Sequence, residues 1–200
     1  MKNNLIQIIE AALLCASRPL SVDEIQKVFN EEECPTKDEI KNTLDEIDTL
    51  CIDRGVELKK VSSGFRMQVK QSLSSYIARL WEEKPQKYSK ATLETLALIA
   101  YRQPITRGEI EEIRGVSVST PLIRGIMERG WIKIVGQRDV PGKPSLYATT
   151  KEFLDYFDLQ HLRELPKLPD LTDVDSMDKK LSQKEDFKDD ISDPTVYLNS

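Results

Sequence analysis

The stretches ALLCASRPLSVDEI (12–25) and ALIAYRQPITRGEI (97–110) are one pattern met twice, 85 residues apart. Ala12, Pro19, Glu24 and Ile25 fall on Ala97, Pro104, Glu109 and Ile110 without a gap, and Leu13, Leu14, Leu20 and Ser21 meet Leu98, Ile99, Ile105 and Thr106. In each copy an apolar helix ends, a proline follows, and Ser/Thr-x-x-Glu opens the next helix. That tetrad is a capping box: the hydroxyl accepts from the amide three residues on, and the glutamate reaches back to the first amide. Two copies predict two small modules on one plan, so the question becomes what a pair of such modules holds.

Working outward from the first copy, Leu5, Ile6, Ile9, Ala12 and Leu13 recur at helical spacing and predict a helix to about Ser17. Ser21 caps a second helix to about Phe29. A further capping box, Thr36-x-x-Glu39, opens a third, whose stripe Ile40, Leu44, Ile47, Leu50 and Cys51 runs to near Gly55. The period then changes to two. Val56, Leu58 and Val61 precede Ser62-Ser63-Gly64, and Phe65, Met67 and Val69 follow, which predicts a β-hairpin with Gly64 in the turn. Three helices and a hairpin is the order of a winged helix.

The second copy repeats that order. Ser89 starts a helix carrying Leu93, Leu96, Ala97 and Ala100, and Thr106 caps a short one with Ile110 and Ile113. Pro121 suits the first turn of a third, with Leu122, Ile126 and Met127, that stops at Gly130. Strands WIKIV (131–135) and SLYAT (145–149) flank a long wing, and a last helix spans about 151–158. The predicted fold class is mainly α with small β-hairpins (α+β): a winged-helix domain over 1–70, a linker helix over 71–88, a second winged-helix domain over 89–163 and a disordered acidic tail over 164–200. The linker helix carries Leu73, Tyr76, Ile77, Leu80 and Trp81, an apolar face that is either core or packing for another subunit. In the tail Leu165, Leu168, Leu171 and Val174 recur every three residues, a spacing that suits an extended docking segment.

The net charge of −5 sits in that tail, where residues 164–200 hold ten acids against five lysines. Residues 1–163 are therefore balanced, with −2 over 1–88 and +2 over 89–163. A body without net positive charge lacks the electrostatic footprint of an autonomous DNA binder. The first module's third helix makes this worse. Residues 36–54 carry Asp38, Glu39, Asp45, Glu46, Asp48 and Asp53 against Lys37, Lys41 and Arg54, which phosphates would repel. The second offers only Arg124 and Arg129, beside Glu128. With Arg102, Arg107, Arg114, Arg138 and Lys143 nearby, at most weak, non-specific DNA contact is expected.

No catalytic constellation is legible. Gly136-QRDVP-Gly142-Lys143-Pro144 has five residues between its glycines where a Walker A loop has four, and a proline where magnesium needs a hydroxyl. The segment joins two strands and reads as a wing. HExxH, GxSxG and GxGxxG are absent, and His161 is the one histidine, without ligand-like neighbours. Three cysteines without CxxC spacing argue against a disulfide framework or zinc; Cys15 and Cys51 read as buried thiols and Cys34 as a loop residue. No uncharged run approaches the ~18 residues of a membrane span, and Gln7 and Glu10 interrupt any signal-peptide core. The expectation is a cytoplasmic, non-enzymatic protein that needs no cofactor or metal and meets no membrane. The alternatives are a winged-helix transcriptional regulator and, a distant third, an enzyme.

SKATLETLALIAYRQPITRGEIEEIRGV (89–116) resembles the signature of the segregation and condensation protein B family. The likeness continues through LIRGIMERGWIKIVGQRDVPGKPSLYATTKEFLDYFDLQHLRELP (122–166), and IIEAALLCASRPLSVDEI (8–25) fits the same family. The resemblance implies two winged-helix domains, a homodimer formed mainly through the N-terminal ones, and binding to the kleisin ScpA. The complex would work with the SMC ATPase in condensing and partitioning chromosomes, associated with the nucleoid, and ATP hydrolysis would belong to SMC. On this view Leu5, Ile6 and Ile9 are the dimerisation candidates, and Tyr101, Arg102, Gln103, Arg107 and Arg114 the kleisin-binding ones. Each of the latter also has a plainer reading, since Tyr101 suits a core and Arg114 a helix end. The polar run SVSTP (117–121) departs from the family pattern and bears on partner specificity.

Overall fold

A computed structural model describes residues 2–80 and 88–167. Trp81 and the tail from Leu168 onward, including Leu171 and Val174, lie outside the described residues. The chain divides after Glu164, and residues up to that point form one compact unit.

The first module runs α1 (Lys2–Cys15), α2 (Val22–Gln26), a 3-10 turn (Glu31–Glu33), α3 (Lys37–Leu50), β1 (Val56–Val61) and β2 (Gly64–Val69). Both predicted capping boxes close: Ser21 and Thr36 each accept from the amide three residues on, while Glu24 and Glu39 return to the cap amides. Ile9, Leu13, Ile25, Ile40, Leu44, Ile47 and Cys51 form the core, with Leu20, Val56, Leu58, Phe65 and Met67 packed against it. Truncating one of these to Ala removes about 2–5 kcal/mol.

The second module repeats the order with α5 (Lys90–Arg102), β3 (Ile105–Thr106), α6 (Arg107–Arg114), α7 (Thr120–Glu128), β4 (Ile132–Gln137), β5 (Ser145–Thr149) and α8 (Lys151–Tyr156). Ser89, Thr106 and Ser119 cap their helices, Pro121 sits in the first turn of α7, and α6 ends on Gly115 at φ 68°. Its core is Leu96, Ile99, Ile105, Ile110, Val118, Ile123, Ile126, Trp131, Ile132 and Phe153.

The repeat extends to strand pairing. Leu20 bridges Phe65 on β2, and Ile105, its equivalent 85 residues on, pairs with Tyr147 on β5. In both copies the residue after the proline lies against the second strand of the hairpin. This makes the second sheet three-stranded, in the order β3-β5-β4.

Several expectations need correction. Gly64 is not the turn: Ser62-Ser63 make the two-residue loop, and Gly64 opens β2 opposite Val61. Its glycine is required because an added Cβ would stand 2.2 Å from the Leu20 carbonyl oxygen. The second helix stops at Gln26, since Val28 and Phe29 bond three residues back instead of four. The third stops at Leu50 with Cys51 as cap, short of Gly55. Of the predicted linker helix, residues 71–80 form two 3-10 turns (Gln71–Leu73, Ala78–Leu80) around α4 (Ser74–Ile77), with no capping side chain on α4, and residues 81–87 lie outside the described residues. Tyr76 and Leu80 are exposed, so they are not core among the described residues. Cys15, expected buried, ends α1 on the solvent side.

Candidate partner-binding surfaces of the second module

The signature residues at the α5–α6 junction divide sharply in role. Gln103 follows α5, and its amide nitrogen donates to the Ala100 carbonyl at 3.0 Å. Its Oε1 accepts from the Thr149 amide at 2.8 Å and the Thr149 hydroxyl at 3.0 Å. The side chain therefore ties the end of α5 to the end of β5 and has little left for a partner. Arg107 donates to Glu111 Oε1 and to the Thr120 hydroxyl, both at 3.0 Å. The same Glu111 oxygen accepts from the Val118 amide at 2.8 Å. Val118's N–H, first, and then Arg107 hold the Glu111 carboxyl below its ordinary range. This network fixes the SVSTP run against α6, giving that polar stretch a local structural role.

Arg114 donates to Glu94 at 3.0 Å, joining α6 to α5, and its side chain keeps only 9% exposure. Arg102 is exposed and makes no ion pair with any described residue; Tyr101 is half-buried. Of the five candidates, then, Arg102 is the exposed one, and it has no ion pair among the described residues.

Glu109 shows how the wing is tied down. Arg138, at the base of the β4–β5 wing, donates to its carboxylate, and the Thr106 amide does so at 2.8 Å. Arg138 first and Thr106 second hold that carboxyl at about 2. The beginning of α6 and the wing are thus one piece.

Arg124, on α7, and Arg129, which caps its end, each meet groups of their own module. Arg124 pairs with Glu128 one turn on, at 2.9 Å. Arg129 donates to the Gly125 carbonyl at 2.7 Å, and its guanidinium stands 5.4 Å and 5.9 Å from the Tyr88 and Trp131 ring centres. Those rings belong to an aromatic cluster with Tyr156 and Phe157, in which Tyr88 and Tyr156 share a hydroxyl bond of 2.9 Å. Beneath Arg129, the start of α5 and the outer side of α7 enclose a cleft of about 240 Å³. Nothing in the sequence pointed to it, because Tyr88 and Gly125 meet only when α5 and α7 pack.

In the first module, Ile9 is fully enclosed by its own core, and Leu5 and Ile6 are half-buried against it. The apolar side chain that α1 leaves in the open is Leu14, 61% exposed. The tip of the first hairpin is occupied: the Ser62 amide donates to the Leu159 carbonyl, the Ser63 amide to Asp155, and Arg66 pairs with Asp158. Among the described residues no group of three or more His, Cys, Asp or Glu is placed to hold a metal ion, and no helix is long and apolar enough to cross a membrane.

A family model described as segregation and condensation complex subunit ScpB matches residues 7–168. A segregation and condensation protein B homolog from Coxiella burnetii is 52% identical over 153 residues, which are 76% of this chain and 73% of the relative. The crystal structure of ScpB from Mycobacterium tuberculosis is 31% identical and covers 78% of this chain and 96% of that one, with a TM-score of 0.37. A dimer of the ScpB N-terminal domain complexed with ScpA peptide is 26% identical over 40% of this chain and 96% of that one, with a TM-score of 0.35. Membership rests on the sequence and not on those superpositions: carrying the matched stretch from α1 to the last described residues, the chain belongs to the ScpB family of segregation and condensation complex subunits.

Proposed function

We propose that the chain is a non-enzymatic scaffold: a homodimer that binds the kleisin ScpA within a bacterial SMC–kleisin complex and acts in chromosome condensation and segregation during cell division. It would work in the cytoplasm, on the nucleoid through that complex. Family membership supports the class. The observation that favours a protein over DNA as the direct partner is the state of the two third helices. In a winged helix that element must enter a groove walled by phosphates. Here α3 turns Asp38, Glu39, Asp45, Glu46 and Asp48 outward, and α7 offers a phosphate only Arg124, which is paired with Glu128, and Arg129 at its end. The first wing, a second DNA-contacting element in such folds, is taken up by Asp155 and Asp158.

Dimerisation is assigned to the first module, with α1 contributing Leu5 and Ile6, and Ile9 supporting them from within the core. The kleisin is assigned to the second module, where Arg102 is the exposed member of the signature, half-buried Tyr101 lies beside it, and Gln103, Arg107 and Arg114 hold their surroundings in place. SMC would be reached through the kleisin. Light scattering of the full chain, alone and with its cognate kleisin, tests this reading. The expected masses are twice 22.9 kDa for the chain alone and a larger stable complex with kleisin. A monomer that forms no such complex would overturn the proposal, as would tight, sequence-dependent binding in a low-salt gel shift.

A further inference from the structure

The cleft between α5 and α7 has the make-up of a socket for one side chain. Tyr88, Pro121 and Leu122 supply apolar surface over the buried Ile126, Ser89 and Thr92 lie at its α5 side, and among the described residues Arg129 is the one charged residue lining it. Among the described residues no carboxylate lines it and none forms an ion pair with Arg129. Lys90, at the start of α5, is 93% exposed and 4.0 Å from its nearest carboxylate, so it adds positive potential, as do the free amides of that helix end. At about 240 Å³ the space is below the ~300–1,000 Å³ that encloses a drug-sized ligand. It fits a single large side chain.

Resting on the function proposed above, we propose that this cleft receives an anchor from the kleisin: one leucine- or phenylalanine-sized side chain, flanked by a carboxylate that meets Arg129. Charge complementarity selects the flank. A cation held over two aromatic rings and without an anionic partner favours an acidic segment and repels a basic one. The apolar part of the wall selects the anchor, since a side chain seated there leaves water for surface that Pro121, Leu122 and Tyr88 already provide. A single filled pocket of this kind is where binding energy concentrates in an interface. The site is separate from the Arg102 face at the other end of α5.

Gly125 makes the test clean. A Cβ there first meets the far end of the Arg129 side chain, at 3.4 Å, and replacing a helical glycine favours the helix. Gly125→Leu therefore fills the cleft from its own wall without disturbing the backbone. Calorimetry of the full-length chain with its cognate kleisin, on wild type, Gly125→Leu and Arg129→Glu, is expected to show each variant binding at least tenfold more weakly with an unchanged melting temperature. Should Gly125→Leu lower the melting temperature, Arg129→Glu decides alone. Affinity within twofold of wild type in the deciding variant overturns the socket while leaving the kleisin reading intact. Loss of self-association instead of kleisin affinity reassigns the cleft to a second copy, and loss of oligonucleotide binding alone reassigns it to DNA; both overturn the proposal. A wild-type chain that binds no kleisin removes the function proposed above, and this occupant with it.

Discussion

The backbone amide of Ser63, at the tip of the first hairpin, donates to Oδ1 of Asp155 on α8 at 2.9 Å, across 92 residues of chain. Asp158, at φ 59°, lies just beyond α8 and receives Arg66 from the same hairpin. The first wing is therefore an internal fastening within the compact unit that ends at Glu164. A charge-assisted bond to a partly buried amide contributes about 1.5–3 kcal/mol. Asp155→Ala is expected to speed amide hydrogen exchange at Ser62 and Ser63 while the α3 core keeps its protection. Unchanged exchange at those two amides would show that the carboxylate does not hold the wing.

Gly64 places its α-carbon against the Leu20 strand so closely that a methyl group would overlap backbone atoms at 2.2–2.6 Å. Its φ of 149° is also one that L side chains avoid. Gly64→Ala must push the Leu20 segment off β2, at a cost of about 2–3 kcal/mol. A thermal melt reads the loss, and Gly108→Ala, where a Cβ meets nothing within 4 Å, is the control.

The signature stretch sorts by stability. Gln103→Ala leaves the Thr149 amide without its acceptor and is expected to lower stability by about 1–3 kcal/mol. Arg102→Ala, at an exposed and unpaired side chain, should change it by less than about 0.5 kcal/mol while weakening a kleisin pull-down. If Arg102→Ala leaves the pull-down unaltered, the α5–α6 junction is not a kleisin surface.

Glu24 and Glu109 each carry a carboxyl held at about 2 against an ordinary 4.5. The Ser21 amide is the leading cause for Glu24 and Arg138 for Glu109. Both folded values are depressed, so their stabilisation is complete above pH 4.5 and is lost as pH falls towards 2. Urea midpoints measured through that window should decline. The Glu24→Gln/Glu109→Gln double variant, whose amides can still accept from the cap but do not titrate, should decline less steeply. Identical slopes would remove the capping boxes from the acid sensitivity.

Much of this architecture is legible because it is local. The capping boxes at Ser21, Thr36 and Thr106 and Pro121 in the first turn of α7 all depend on contacts within a few residues, and each forms where the pattern places it. Period alone misled over 71–80, where one expected helix is broken into short turns, and Cys15 lies on the outward side of α1 although its stretch is apolar.

What the chain's order of residues determined by itself was the module plan: an 85-residue repeat, three helices and a hairpin in each, neutral bodies and an acidic tail. Packing decided the rest. Gln103 and Arg107 look like surface groups until Thr149 and Thr120 arrive beside them, and only packing brings Tyr88 and Trp131 under Arg129. A side chain's spare bonding capacity depends on neighbours tens of residues away, and periodicity carries no information about those.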